Sequence, residues 1–327
     1  MFEIDFLQEL PEQVFVVHVI QMMSYVDQLK FKQLSEPAKE IIENSQFHND
    51  RVKSKLSNIK YVCLVGEPEI SIYDPAGQTV ILKAPLPTGF EASWMTQVIS
   101  LNHKIVLLNV LYNHHSSTKI LIYDLLSNTW KQGAECPNLI SYRDFACCAS
   151  PEGLIYTTGQ LDTTHGVVCE ASVYKVDEEK WEILPNMNQN IGLSKCVFMN
   201  GMFYVIGFPE EGTQRFDPNT GVWETIDNMS QYHEDAFHAF GRLLAYQIGS
   251  IDEFDWEENV WKQLDPIPEH LEFNLATVWG DGIFFGTDIP PLIFYIYRPE
   301  AALSDKWAPV TDNLPADVIM CMTTIEM

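Results

Sequence analysis

The stretch Tyr232-His233-Glu234-Asp235-Ala236-Phe237-His238 gathers two imidazoles and two carboxylates, residue types that bind divalent metals. Its spacing argues against a metal. The pattern His-Glu-x-x-x-His has one residue too many for the helical zinc motif, whose two His share one helix face. The run also opens an alternation that reads as a strand, which turns His233 and His238 to opposite faces. His114-His115 falls in the polar run 113–118 and reads as a solvated loop. The cysteines (Cys63, Cys136, Cys147, Cys148, Cys169, Cys196 and Cys321) form no CxxC pair, and most sit in apolar strand-like runs. Buried free thiols in a reducing cytosol or nucleus are therefore expected, rather than disulfides or zinc. GxSxG, P-loop and GxGxxG patterns are absent. These readings assign no catalytic residue, no metal and no cofactor; recognition is the expected chemistry.

The elements that must position such residues show up as a repeat. An aromatic or apolar run ending in Asp, a short turn and then Trp recur as Tyr123-Asp124 with Trp130, Val176-Asp177 with Trp181, Phe216-Asp217 with Trp223, and Phe254-Asp255 with Trp261. Tyr295-Ile296-Tyr297 with Trp307 is a looser copy, and Tyr73-Asp74 begins the series with Val80 in the Trp place. Successive Trp are 51, 42, 38 and 46 residues apart, near the roughly 40–50 expected of a four-stranded propeller blade. Each Asp can close a turn through its own side chain, and the Trp that follows can fill the space between blades. A second apolar strand precedes each unit and ends in Gly159, Gly207 or Gly286, which suits a tight spot or a positive φ near the propeller axis.

These units resemble kelch repeats, although the first glycine of the family's double glycine is usually missing. The resemblance covers residues 61–327 and implies an all-β, six-bladed kelch-type β-propeller with blades at about 61–87, 93–137, 142–186, 193–229, 234–267 and 272–312. The first blade shows only three strand-like segments. The alternating tail 317–327 is expected to supply its fourth strand and so remove the open edges.

Charge narrows the partners. The chain of 327 residues has a formal net charge of −25, and residues 61–327 hold thirty-six of its 45 acids but thirteen of its 20 Lys and Arg. Such a surface repels phosphate backbones, so no nucleic acid is expected. No run of 18 or more apolar residues appears, and the N-terminus is acidic where a signal peptide is basic. No membrane partner is expected.

Residues 1–55 fall outside the repeat. Leu10-Pro11 reads as a helix start followed by Val14, Val17 and Ile20, and Ser35 as the N-cap of a second helix containing Ile41. The order Leu10-Pro11, an apolar helix, Leu29 and Leu34, Ile41-Ile42, then Ser45-Gln46-Phe47 resembles an F-box. The resemblance implies a small N-terminal α-helical F-box-like module, with 56–60 as connector, whose Leu10, Pro11, Val14, Val17, Ile20, Leu29, Leu34 and Ile41 bind a Skp-type adaptor of a cullin–RING ubiquitin ligase. Pro37-Ala38 replaces the family's basic-Trp pair.

An F-box followed by a degenerate kelch propeller resembles a group of plant proteins. Members of that group recruit phenylalanine ammonia-lyase or response regulators for ubiquitination. The implied role is substrate recognition in an SCF-type ligase; the alternative is an interaction scaffold without a ligase. Loops joining strands two to three and blade to blade share one propeller face, so the expected target-binding residues are His114, His115, Tyr142, Arg143, Asp162, His165, Tyr232 and His233.

Overall fold

A computed structural model describes residues 23, 27–28, 30, 32–33, 36–44 and 60–326. Within that last span, 117–118, 136–144, 164–165, 192–193, 211, 227–228, 230, 289–290 and 311–317 are not described. Six four-stranded antiparallel sheets follow one another along the chain. From the inner to the outer strand, the second sheet runs Gln97–Leu101, Lys104–Leu108, Leu121–Asp124 and Thr129–Gln132. The fourth runs Lys195–Met199, Met202–Ile206, Thr213–Asp217 and Val222–Ile226, and the others repeat the pattern. Each inner strand lies against the inner strand of the next sheet, all the way round. The result is a closed, six-bladed propeller.

The first sheet is assembled from both ends of this region. Ile319–Glu326 is its inner strand and pairs antiparallel with Lys60–Gly66, with Tyr61 opposite Ile325 and Val65 opposite Cys321. Glu69–Asp74 and Thr79–Pro85 complete it. This pairing satisfies an edge that would otherwise expose a row of unpaired backbone groups.

The second strand of each blade explains the unbroken apolar runs in the sequence. It is covered on both faces by neighbouring blades, as Lys104–Leu108 and Gly282–Gly286 show with continuous burial, so alternation disappears where both faces are dry. Gly286 marks the tight spot: a Cβ there would meet the Phe294 ring at 2.2 Å. Positive φ occurs instead in the inner hairpin turns, for example at Gly201.

The recurrent Trp binds one blade to the previous one. Trp130, Trp181, Trp223 and Trp261 donate Nε1–H to the carbonyls of Pro85, Ala134, Pro185 and Met229, at 2.7–3.0 Å. Each indole also faces the aromatic ring directly across the ladder. The pairs Tyr123–Trp130, Tyr174–Trp181, Phe216–Trp223, Phe254–Trp261 and Tyr297–Trp307 have centroids 4.8–5.3 Å apart. The Asp of the repeat closes the turn between: Asp124 Oδ1 accepts from the N–H groups of Leu126 and Ser127, and Asp255 Oδ1 from those of Glu257 and Glu258.

Blade three corrects the sequence alignment by two residues. Tyr174, not Val176, stands opposite Trp181, and Lys175 takes the Asp place. Lys175 cannot accept hydrogen bonds; its ammonium instead donates to Glu182 at 2.8 Å.

Of the N-terminal region, the described part includes a seven-residue helix, Glu36–Ile42, whose Ile42 is buried and Ile41 half-buried. Lys32 donates from Nζ to the Leu126 carbonyl in blade two at 2.9 Å. Leu10, Pro11, Val14, Val17, Ile20, Leu29 and Leu34 lie outside the described residues. No helix among the described residues is long and apolar enough to cross a membrane.

Candidate functional site

The six inner strands surround a central channel with a cavity of about 780 Å³. Its walls carry Ser100, Cys147, Cys196, His238, Ala276 and Cys321, one from each blade. Burial pushes the thiols of Cys196 and Cys321 well above the ordinary range, which disfavours the thiolate that nucleophilic chemistry needs.

One end of the channel is richer. The loops that enter the inner strands bring Trp94, Ser194, Tyr232, His233 and Glu234 to its mouth, and the loops after second strands add Phe208 and Asp288. Trp94 is 70% exposed and Tyr232 48%. The Tyr232 ring stacks on Phe208, with centroids 5.3 Å apart and planes 2° from parallel, and its hydroxyl donates to Glu234 Oε1 at 2.8 Å. That bond to a carboxylate, ahead of burial, raises the Tyr232 pKa. Asp235 sits half-buried at the start of its strand; burial raises its carboxyl, and the Lys195 charge acts the other way.

His233 differs from its expected place on the exposed face. It is 4% exposed because the third strand of blade five, Ser250–Asp255, holds it from behind. Its Nε2 lies 3.3 Å from Asp252 Oδ2, a buried carboxylate that also accepts from Gln231, Gln247 and Ser250. The imidazole packs on Trp261 at 4.4 Å. In the tautomer that turns Nε2–H to the carboxylate, Nδ1 is left as an acceptor, and among the described residues it has no hydrogen-bond partner.

His114 and His115 are exposed, as expected of a solvated loop, and the loop carries a small sheet. Phe90–Glu91, Leu111–Tyr112 and His115–Ser116 form a small separate sheet, and His114 Nδ1 lies 2.9 Å from Glu91 Oε2. Lys119 sits over the Tyr112 ring at 4.7 Å, a cation–π contact. Asp162 belongs to a hairpin, Leu154–Thr163 with Gly166–Lys175, whose ten-residue strands outrun those of every other blade. The side chain of Asp162, and all of His165, Tyr142 and Arg143, lie outside the described residues. Of the eight expected target-binding residues, the described structure thus brings Tyr232 and His233 together at the channel and sets His114 and His115 on the small sheet.

Sequence reasoning missed Trp94, Phe208, Ser194 and Asp288. Trp94 carried a signal, since it is a Trp out of step with the repeat and free of the Tyr-Asp that precedes the others.

No family model matches the chain. Kelch-like protein 23 of Homo sapiens is similar at 27% identity over 221 residues, 62% of this chain and 39% of that protein. Two Arabidopsis thaliana proteins named F-box/kelch-repeat proteins are 26% identical over 139 residues (39% of this chain, 38% of theirs) and 29% identical over 117 residues (33% and 32%). The chain is a relative of the plant F-box/kelch-repeat proteins. Its matches span about two fifths or less of the length of these curated relatives. The propeller is accordingly of kelch type.

Proposed function

We propose that the chain is the substrate-recognition subunit of an SCF-type E3 ubiquitin ligase, acting in the cytosol or nucleus without chemistry of its own. Residues 1–55 form the F-box-like module that docks on a Skp-type adaptor of a cullin–RING ligase, 56–60 connect, and 61–327 hold the target. The observation that carries this reading is that relatives of the propeller are named for an F-box joined to kelch repeats. A second observation supports a division of labour. Lys32 reaches the turn at Leu126, between the third and outer strands of blade two, whereas the channel mouth is built from the opposite set of loops. Adaptor and target then bind at opposite ends of the propeller. The bare scaffold without a ligase remains the second reading, favoured by Pro37-Ala38 where the family has a basic-Trp pair.

The test is affinity purification of the full chain with a Skp-type adaptor. The ligase reading expects adaptor recovery that Leu10→Ala with Pro11→Ala abolishes; recovery of partners without adaptor from both forms would leave only the scaffold. Phenylalanine ammonia-lyase and response regulators are the first targets to probe in the same experiment.

A further inference from the structure

We propose that the channel mouth at blades four to six is a receptor for a basic side chain, arginine or lysine, on a protein segment that enters the channel. This rests on the reading that the mouth is the target-binding face and names the chemistry it selects.

Among the described residues, two buried polar atoms there have no partner. Ser194 and His233 line the cavity and are 7% and 4% exposed, and among the described residues neither Ser194 Oγ nor His233 Nδ1 makes a hydrogen bond. Unpaired buried polar atoms are uncommon in folded proteins, because each forfeits its hydration without compensation. His233 Nε2 is committed to Asp252, so in the tautomer that donates from Nε2 the Nδ1 atom accepts. A hydroxyl can accept as well. The ligand that satisfies both must bring N–H or O–H groups.

The surrounding charge says what kind. Among the described residues, Glu234, Asp235 and Asp288 line the same end against one cation, Lys195, with His238 further along the wall. A ligand carboxylate or phosphate meets net repulsion; an ammonium or guanidinium supplies several donors together with the missing positive charge. The stacked Phe208–Tyr232 pair and exposed Trp94 offer flat faces on which a guanidinium or an aliphatic stem can lie. The chain's formal net charge of −25 adds long-range attraction for a basic partner.

The test is fluorescence anisotropy with the full chain at physiological salt. The probes are three fluorescein-labelled decapeptides of one Gly/Ser/Leu background carrying two Arg, two citrulline or two Glu residues. The arginine peptide is expected to bind, the citrulline peptide more weakly, and the glutamate peptide not at all. Glu234→Gln with Asp288→Asn should weaken the arginine peptide about tenfold, the scale of a charge-assisted hydrogen bond, and Ser194→Ala should weaken it severalfold with unchanged thermal unfolding. Glu178→Gln with Glu257→Gln removes the same charge from turns at the other end of the propeller and should change binding less than twofold. Equal losses in the two double variants would reduce the effect to diffuse attraction and overturn the proposal. Trp94→Ala with Tyr232→Ala separates the two levels of the reading. A glutamate peptide that binds and is lost in this variant would keep the mouth as the binding face while ending the cation assignment. An arginine peptide that no mouth variant weakens would end both.

Discussion

Trp279 donates its indole N–H to the Lys60 carbonyl at 2.7 Å, joining blade six to blade one across 219 residues of chain. This is the junction at which the repeat lacks its own staple, since Val80 stands where the other blades carry Trp. Val80 and Trp279 pack in one cluster with Tyr73, Phe284 and Met322. The indole has come from the inner strand of the preceding blade instead of the outer strand of the following one. The ring closes with the same bond, made from the other side.

That bond is testable alone. Trp279→Phe keeps most of the apolar contact and removes the indole N–H···O bond to the Lys60 carbonyl, so stability should fall by about 1–2 kcal/mol. Urea midpoints at unchanged slope would measure it. A change within error would mean that water replaces the donor at no cost.

The closing strand should matter more. Ile325 is fully buried opposite Tyr61, and Ile325→Ala should cost about 2–5 kcal/mol, the range for large-to-small changes in a core. Deletion of 318–327 should go further and yield aggregation-prone protein, because Lys60–Gly66 becomes an open apolar edge. A truncated chain that unfolds cooperatively at the full-length temperature would contradict the closure.

Between blades five and six the tie is ionic. Asp265, 7% exposed on the outer strand of blade five, accepts from the Tyr297 hydroxyl and from Lys306 Nζ at 2.6 Å. Burial and this carboxylate push the Tyr297 phenol well up. Asp265→Ala leaves a largely buried ammonium unpaired and should cost about 3–5 kcal/mol, whereas Tyr297→Phe should cost about 1 kcal/mol. Chemical denaturation of the two variants side by side checks the order; the reverse order would contradict it.

The turn carboxylates give a pH signature. The Lys262 ammonium, then the backbone N–H groups of Glu258 and Glu257, hold the Asp255 carboxyl at about 2 against an ordinary 3.8. Because the folded-state pKa is the lower one, the stabilisation is present above about pH 4 and is lost as pH falls towards 2. Melting temperatures recorded from pH 5 to pH 2 should fall less steeply for Asp255→Asn than for the unaltered chain. Parallel curves would show that the turn contributes nothing in acid.

Sequence patterning carried the repeat and its blade count, because the feature that makes a blade is local. An aromatic ring, an Asp that closes its own turn and a Trp one hairpin away lie within about ten residues, so their spacing survives in the letters. Where a local rule was broken the reading slipped, as at Lys175, which stands in the Asp place and shifted the alignment of blade three by two residues. The histidines at 114 and 115 are exposed as expected, but the small sheet they join was missed for a different reason. Their sheet is completed by Phe90–Glu91, more than twenty residues away, and no local signal announces such a partner.

The sequence alone determined that this chain is a ring of β repeats with an acidic surface, since hairpin chemistry and net charge are properties of neighbouring residues and of composition. Only the tertiary structure decided where the channel mouth lies and what it asks of a ligand. Ser194, Phe208, His233, Glu234 and Asp288 come from three blades. Whether a polar atom such as His233 Nδ1 ends up paired depends on what the folded ring leaves within reach of it.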